Sequence, residues 1–251
     1  MLHFTKNHKQ KNYLTGIAVL ISTGITTDEK CGSTNQFKYT NKSEIINLST
    51  LRSTRCPSWA DYPHYTRGAT GGFLSTNLII CGGSHDHSEE CNIITPKTTK
   101  ILTKMLFKRY DAASVIIREK YLWVSGGNDG TGTLSSTEFV EINTTAGPEL
   151  PTALEGHEMI VVNDDLTLII GGSSAGIEKS STFYFKHKKV NAYEDQWFDG
   201  PSLQKERRNH AVGAVTDKVS LKKIVVATGG LDLEGALRSS EILREDSWSA
   251  G

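Results

Sequence analysis

The sequence predicts an all-β fold of about five repeated four-stranded units wound as a propeller. Three observations carry this prediction. A hydrophobic run closing on a glycine pair recurs along the chain. Its recurrences fall at propeller spacing. Between them, short runs rich in Val, Ile and Thr alternate with turn residues.

The recurrent phrase is clearest at Gly82-Gly83, Gly126-Gly127, Gly171-Gly172 and Gly229-Gly230, each preceded by a β-branched run. A degraded copy ends at Gly24 and keeps only one glycine. The middle copies are about 45 residues apart and the outer intervals about 58, a period of propeller arrays rather than of helical solenoids. The units so delimited are 16–60, 62–106, 108–152, 154–204 and 206–251, with 1–15 a leader or a poorly formed first strand.

In the first unit the glycine-ended strand is 16–24, 26–37 is a polar loop, 43–48 the next strand and 51–59 the outer one. The second opens on small residues at 64–73, as expected of a strand crowded near an axis. It continues through Gly82-Gly83, the polar loop 84–90, the strand 91–95 and an edge at 99–103. The third has an inner strand at 109–117, a turn at Arg118-Glu119-Lys120, the strand to Gly127, a loop at 128–134 and the alternating strand 135–142, closed by 147–151. The fourth runs from 155–162 through a turn at 163–165 and Gly171-Gly172 to a third strand at 181–187, ending at 197–203. The fifth begins at 207–215, has its third strand at 239–244, and enters an edge strand at Trp248 on which the sequence stops. These runs are too short for helices of normal length, and four-stranded sheets around an axis bury both faces of each sheet.

Composition narrows the function classes. Lys plus Arg and Asp plus Glu balance at 28 each, so no global field draws in nucleic acid or an anionic membrane. No run approaches the roughly 20 apolar residues of a membrane span. Lys6, His8, Lys9 and Lys11 ahead of 14–22 have the pattern of a signal peptide. The reading of that run as the first repeat strand is preferred, because a glycine and a Ser/Thr-rich loop follow at the repeat's position. The four cysteines, Cys31, Cys56, Cys81 and Cys91, form no C-x-x-C pair. They are compatible with two disulfides or with four reduced core thiols. A Cys81–Cys91 bridge between adjacent strands would leave Cys31 with Cys56. Sequons at Asn41, Asn47 and Asn143 and the clustered cysteines lean the compartment outward without deciding it.

The glycine pair after a β-branched strand, together with Trp197-x-x-Gly200-Pro201-x-Leu203 leading through Arg207 to His210-Ala211, resembles the kelch-repeat family. Weaker copies of that junction stand at Arg109-Tyr110-Asp111-Ala112-Ala113 and Glu155-Gly156-His157. The resemblance covers the chain from about Gly16 and implies a kelch-type β-propeller. Aromatic positions survive at Phe139, Tyr184 and Trp197, while the first two units depart from the pattern. The cysteine arrangement is similar to that of secreted invertebrate kelch proteins. Kelch propellers commonly close with six blades, so five visible units imply either a five-bladed ring with a distorted first blade or part of a larger one; the stop within an edge strand favours the second.

The chemistry in the sequence is sparse. The glycine pairs are structural, and none is followed by the Gly-Lys-Ser/Thr of a phosphate-binding loop. His85-Asp86-His87 with Glu89 and Glu90 is metal-like in composition, but a solvated loop explains it more simply. The array also resembles the galactose-oxidase propeller, a copper enzyme, but the Tyr, Tyr, His and His ligands cannot be placed. No sialidase-type box is present. The expected function is therefore a non-catalytic, monomeric interaction module for a protein or glycan, without cofactor or metal. A copper oxidase and a structural extracellular protein are the alternatives. Antiparallel alternation places the loops after the glycine pairs on one face with the unit-to-unit junctions. The expected contact residues on that face are His85, Asp86, His87, Asn128, Asp129, Ser173, Ser174, Asp232 and Glu234, with Arg109, Arg207 and Arg208 at the junctions, where hydrogen bonds to neighbouring blades are the alternative role of the arginines.

Overall fold

The computed structural model describes residues 62–64, 66–74, 77–84, 86, 88–95, 97–187, 196–217 and 223–251. It also gives the backbone of five N-terminal strands, Ile17–Ile21, Ile25–Thr26, Lys38–Tyr39, Ser43–Asn47 and Arg52–Thr54. The described residues contain strands and turns and no helix. Four four-stranded antiparallel sheets follow one another along the chain. They comprise Thr70–Leu74, Asn77–Cys81, Glu90–Ile94 and Thr99–Lys104; then Ala113–Ile117, Tyr121–Ser125, Thr137–Val140 and Thr144–Ala146. The next two are Glu158–Asn163, Leu166–Ile170, Thr182–Lys186 and Gln196–Asp199; then Ala211–Thr216, Lys223–Thr228, Ser240–Arg244 and Ser247–Ala250. Because a three-stranded sheet of Ile17–Ile21, Ser43–Asn47 and Arg52–Thr54 precedes them, they are called the second to fifth sheets.

The architecture is propeller-like. The first strands of the second to fifth sheets pack against one another in sequence order, 70–74 on 113–117, 113–117 on 158–163, and 158–163 on 211–216. Each sheet thus presents its first strand inward and its fourth outward. Apolar cores fill the spaces between successive sheets. Between the third and fourth lie Trp123, Leu154, Met159, Ile169 and Phe185, with Trp197 packed against them; between the fourth and fifth lie Ile160, Leu168, Val212, Val225 and Trp248. The Trp123, Phe185 and Trp197 rings stand 4.7 to 6.2 Å apart at tilted angles, in the range favoured by ring quadrupoles.

The glycine pairs explain how neighbouring sheets close up. All eight glycines have positive φ, from 56° to 107°. A Cβ on Gly82, Gly126 or Gly171 would stand 2.2 to 2.6 Å from the carbonyl oxygen of Arg109, Leu154 or Arg207, in the junction leading to the next sheet. The N–H of the following glycine donates to that same carbonyl, Gly83 to Arg109, Gly127 to Leu154 and Gly172 to Arg207 (2.8 to 3.0 Å). Only a residue without a side chain allows both the φ value and the approach.

The turn expected at residues 118–120 is present: Arg118 and Glu119 have φ of 53° and 52°, and Lys120 N–H donates to Ile117 O. Cys81 and Cys91 face each other on adjacent strands and are joined by a disulfide. The span expected as the polar loop 26–37 is bracketed by Ile25–Thr26 pairing with Lys38–Tyr39. Ser247–Ala250 pairs residue by residue with Glu241–Arg244. Gly24, Cys31, Cys56, His85 and His87 lie outside the described residues.

Candidate functional site

One end of the molecule gathers the junctions and the loops that follow the glycine pairs. Isolated bridges tie each junction to the loop of its own sheet, Tyr110 to Asn128, Glu155 to Ser173 and Arg208 to Leu231, and Ser84 N–H donates to Arg67 O in the same relation. Three of these loops are small hairpins. Asn128 pairs with Thr133, Ser173–Ser174 with Ile177–Glu178, and Leu231–Asp232 with Gly235–Ala236.

The residues expected as contacts divide by position. Asn128 and Asp129 are spent on local order: Asn128 Nδ2 donates to Glu155 Oε2 (2.6 Å), and Asp129 Oδ1 accepts from the N–H groups of Thr131 and Gly132. Those bonds also hold the Asp129 carboxyl below its usual range, the Thr131 hydroxyl contributing most. Asp232 Oδ1 likewise accepts from Glu234 and Gly235 N–H. Ser173 is buried, Ser174 half-buried, and Asp86 and Glu234 exposed. Arg208 reaches across to the Glu178 carboxylate at 3.0 Å.

Arg109 and Arg207 are a correction. Expected on the surface, they are 1% and 0% exposed. Arg109 donates to Gly126 O (2.6 Å), Ser136 O (3.1 Å) and Glu138 Oε1 (2.5 Å); Arg207 repeats this with Gly229 O (2.7 Å), Ser239 O (3.3 Å) and Glu241 Oε1 (2.7 Å). The other role of each carboxylate is to accept two backbone N–H groups of its junction, Leu106 and Phe107 for Glu138, and Gln204 and Lys205 for Glu241. A buried guanidinium requires a carboxylate and carbonyls around it, which places both arginines inside the sheets rather than before a partner. Their sequence signal was available: Glu138 and Glu241 each stand eleven residues after the second glycine of their pair. Also missed were Ile177 and Leu233, hairpin residues 58% and 76% exposed, whose apolar character looks in sequence like ordinary strand.

At the axis the four junctions meet. Gly68, Asp111, Gly156 and Asn209 occupy equivalent positions, all with φ between 50° and 66°. Their backbones form a chain of hydrogen bonds, Asp111 N–H to Gly68 O, Gly156 N–H to Asp111 O and Asn209 N–H to Gly156 O, at 2.7 to 2.8 Å. The Asp111 carboxylate lies over Gly68 and the Asn209 amide over Gly156, where a Cβ would meet them at 2.2 and 2.5 Å. Beside this chain is a cavity of about 210 Å³ whose polar walls include Thr70, Asp111, Ser114, His157, Glu158 and Asn209. Burial raises the Asp111 carboxyl above its usual range, and Glu155 adds to this, while Arg67 and Arg208 at longer range oppose it. Burial, aided by the Arg109 charge, lowers His157 to about 3, so its imidazole is neutral at pH 7. Among the described residues no three His, Cys, Asp or Glu side chains converge as a metal site requires.

No family model matches this chain, and no curated protein matches it either. Among solved structures it is similar to YjhT, with a TM-score of 0.65 and 13% identity over 83% of this chain and 77% of that one. At that identity the likeness concerns the fold alone.

Proposed function

We propose that this chain is a kelch-type propeller, with the N-terminal three-stranded sheet as the first of five blades, acting as a non-catalytic module that binds a partner protein at the junction end. The observation that carries the reading is the gathering of hairpins around a cavity at the junction end. There the hairpins of the fourth and fifth sheets expose Ile177 and Leu233 beside the axial cavity. Among the described connections at the opposite end, residues 118–120 and 141–143 are tight turns. Variable loops held on a rigid sheet scaffold, with apolar tips and a central recess, suit recognition. The Cys81–Cys91 bridge supports an oxidising, extracellular setting.

Site-specific photo-crosslinkers test this in native source fluid. Crosslinkers at Thr131, Ile177 and Leu233 are expected to yield the same adduct, and one at Ile142 in the opposite-end turn to yield none. Equal labelling from both ends, or different adducts from the three tips, would remove the junction end as the binding face.

A further inference from the structure

The axial cavity has a chemical polarity that its hydrogen bonds reveal. Ser125 Oγ lies 2.7 Å from His157 Nε2 and donates its one proton to the Met159 sulfur, which can only accept. His157 Nδ1 has no hydrogen-bond partner although His157 is only 3% exposed. Thr70 Oγ1 and Ser114 Oγ stand 2.6 Å apart, Ser114 Oγ lies 3.2 Å from Gly71 O, and both hydroxyl oxygens have lone pairs that can accept. Among the described residues the Asp111 carboxylate makes no hydrogen bond or ion pair, and Thr70, Ser114 and Glu158 line the same cavity. The Asp111 carboxylate and the Thr70 and Ser114 hydroxyls can each accept a hydrogen bond there.

We infer that this cavity receives an organic cation, the ammonium or guanidinium end of a lysine or arginine side chain on the partner protein, with the Asp111 carboxylate and the Thr70 and Ser114 hydroxyls as its acceptors. A donor-only group carrying positive charge meets each of them. The volume of about 210 Å³ is below the roughly 300–1,000 Å³ of pockets for drug-sized ligands, so what enters has side-chain dimensions. A cation would also relieve the carboxylate that burial destabilises. This inference rests on the junction end being the binding face.

Calorimetric titration with N-acetyl-lysinamide and N-acetyl-argininamide, against the uncharged N-acetyl-citrullinamide, tests it. Both cations are expected to bind saturably, the neutral probe not at all. Asp111→Asn and Asp111→Gly are expected to weaken binding by roughly tenfold or more, the effect of losing a charge-assisted bond. These variants place at residue 111 the residue types found at the equivalent positions 209 and 156, so the positive φ is retained. Equal binding of the neutral probe, or unchanged affinity in both variants, overturns the inference. Butane-1,4-diamine binding as tightly as the lysine probe would assign the cavity to a free amine and overturn the partner-protein source. Loss of cation binding while the tip crosslinks persist removes this inference alone; lost tip crosslinks with cation binding intact removes the broader reading.

Discussion

The third and fourth sheets solve the same structural problem in opposite ways. In the third, the junction residue Arg109 enters a buried pair with Glu138, and Glu138 also accepts the N–H groups of Leu106 and Phe107. In the fourth, the equivalent of Arg109 is Leu154 and that of Glu138 is Phe183, both in one apolar cluster. The position matching Leu106 is then Pro151, which has no N–H to satisfy. The second and fifth sheets repeat the contrast. The fifth carries Arg207, Glu241 and a donating Gln204. The second has Asn92 in the glutamate position and Pro63 in the donor position; Tyr62 donates to Gly82 O (3.1 Å), the carbonyl that answers to Gly126 O in the third sheet. Acceptor, cation and backbone donor thus change together. What the comparison teaches is that the junction N–H group, not the arginine alone, dictates the solution, because a buried N–H without an acceptor is costly.

The largest expected effect breaks the charged solution on one side only. Glu138→Ala strands a buried guanidinium and two junction N–H groups and should cost about 3–5 kcal/mol in urea unfolding. The triple change Leu106→Pro, Arg109→Leu, Glu138→Phe copies the fourth sheet and should recover most of that loss. If Glu138→Phe alone were as stable as the triple variant, the coupling would be wrong.

A second contrast is His157 against its third-sheet counterpart Ala112. His157 is lowered to about 3 in the fold, against an ordinary value near 6.5, so the folded state binds fewer protons than the unfolded chain. Its contribution is fully present above pH 6.5 and is lost as pH falls from 6.5 towards 3, at up to about 1.4 kcal/mol per unit. His157→Ala should flatten that part of the pH–stability curve; an unchanged slope between pH 6 and 4 would show that acid sensitivity resides elsewhere.

The smallest effect concerns the neutral solution of the second sheet. Tyr62→Phe deletes one uncharged hydrogen bond and should cost about 1 kcal/mol. A loss as large as that of Glu138→Ala would erase the distinction between charged and neutral junctions.

The spacing of Gly82-Gly83, Gly126-Gly127, Gly171-Gly172 and Gly229-Gly230 made the repeated four-stranded sheets legible, because backbone conformations that require glycine leave a mark no other residue can imitate. The loops at the junction end were legible too, since antiparallel alternation follows from strand order. The interior position of Arg109 and Arg207 was not, because their partners Glu138 and Glu241 lie 29 and 34 residues away and an arginine reads in sequence as surface. Nor was the cavity at Asp111, Thr70, Ser114 and His157. These residues come from three different units, and their contacts with one another are made only by the fold. Sequence alone determined the period, the strands and the hinges, which depend on local backbone chemistry. Tertiary structure alone decided which polar groups are buried together, because that depends on how the inner strands of successive sheets converge.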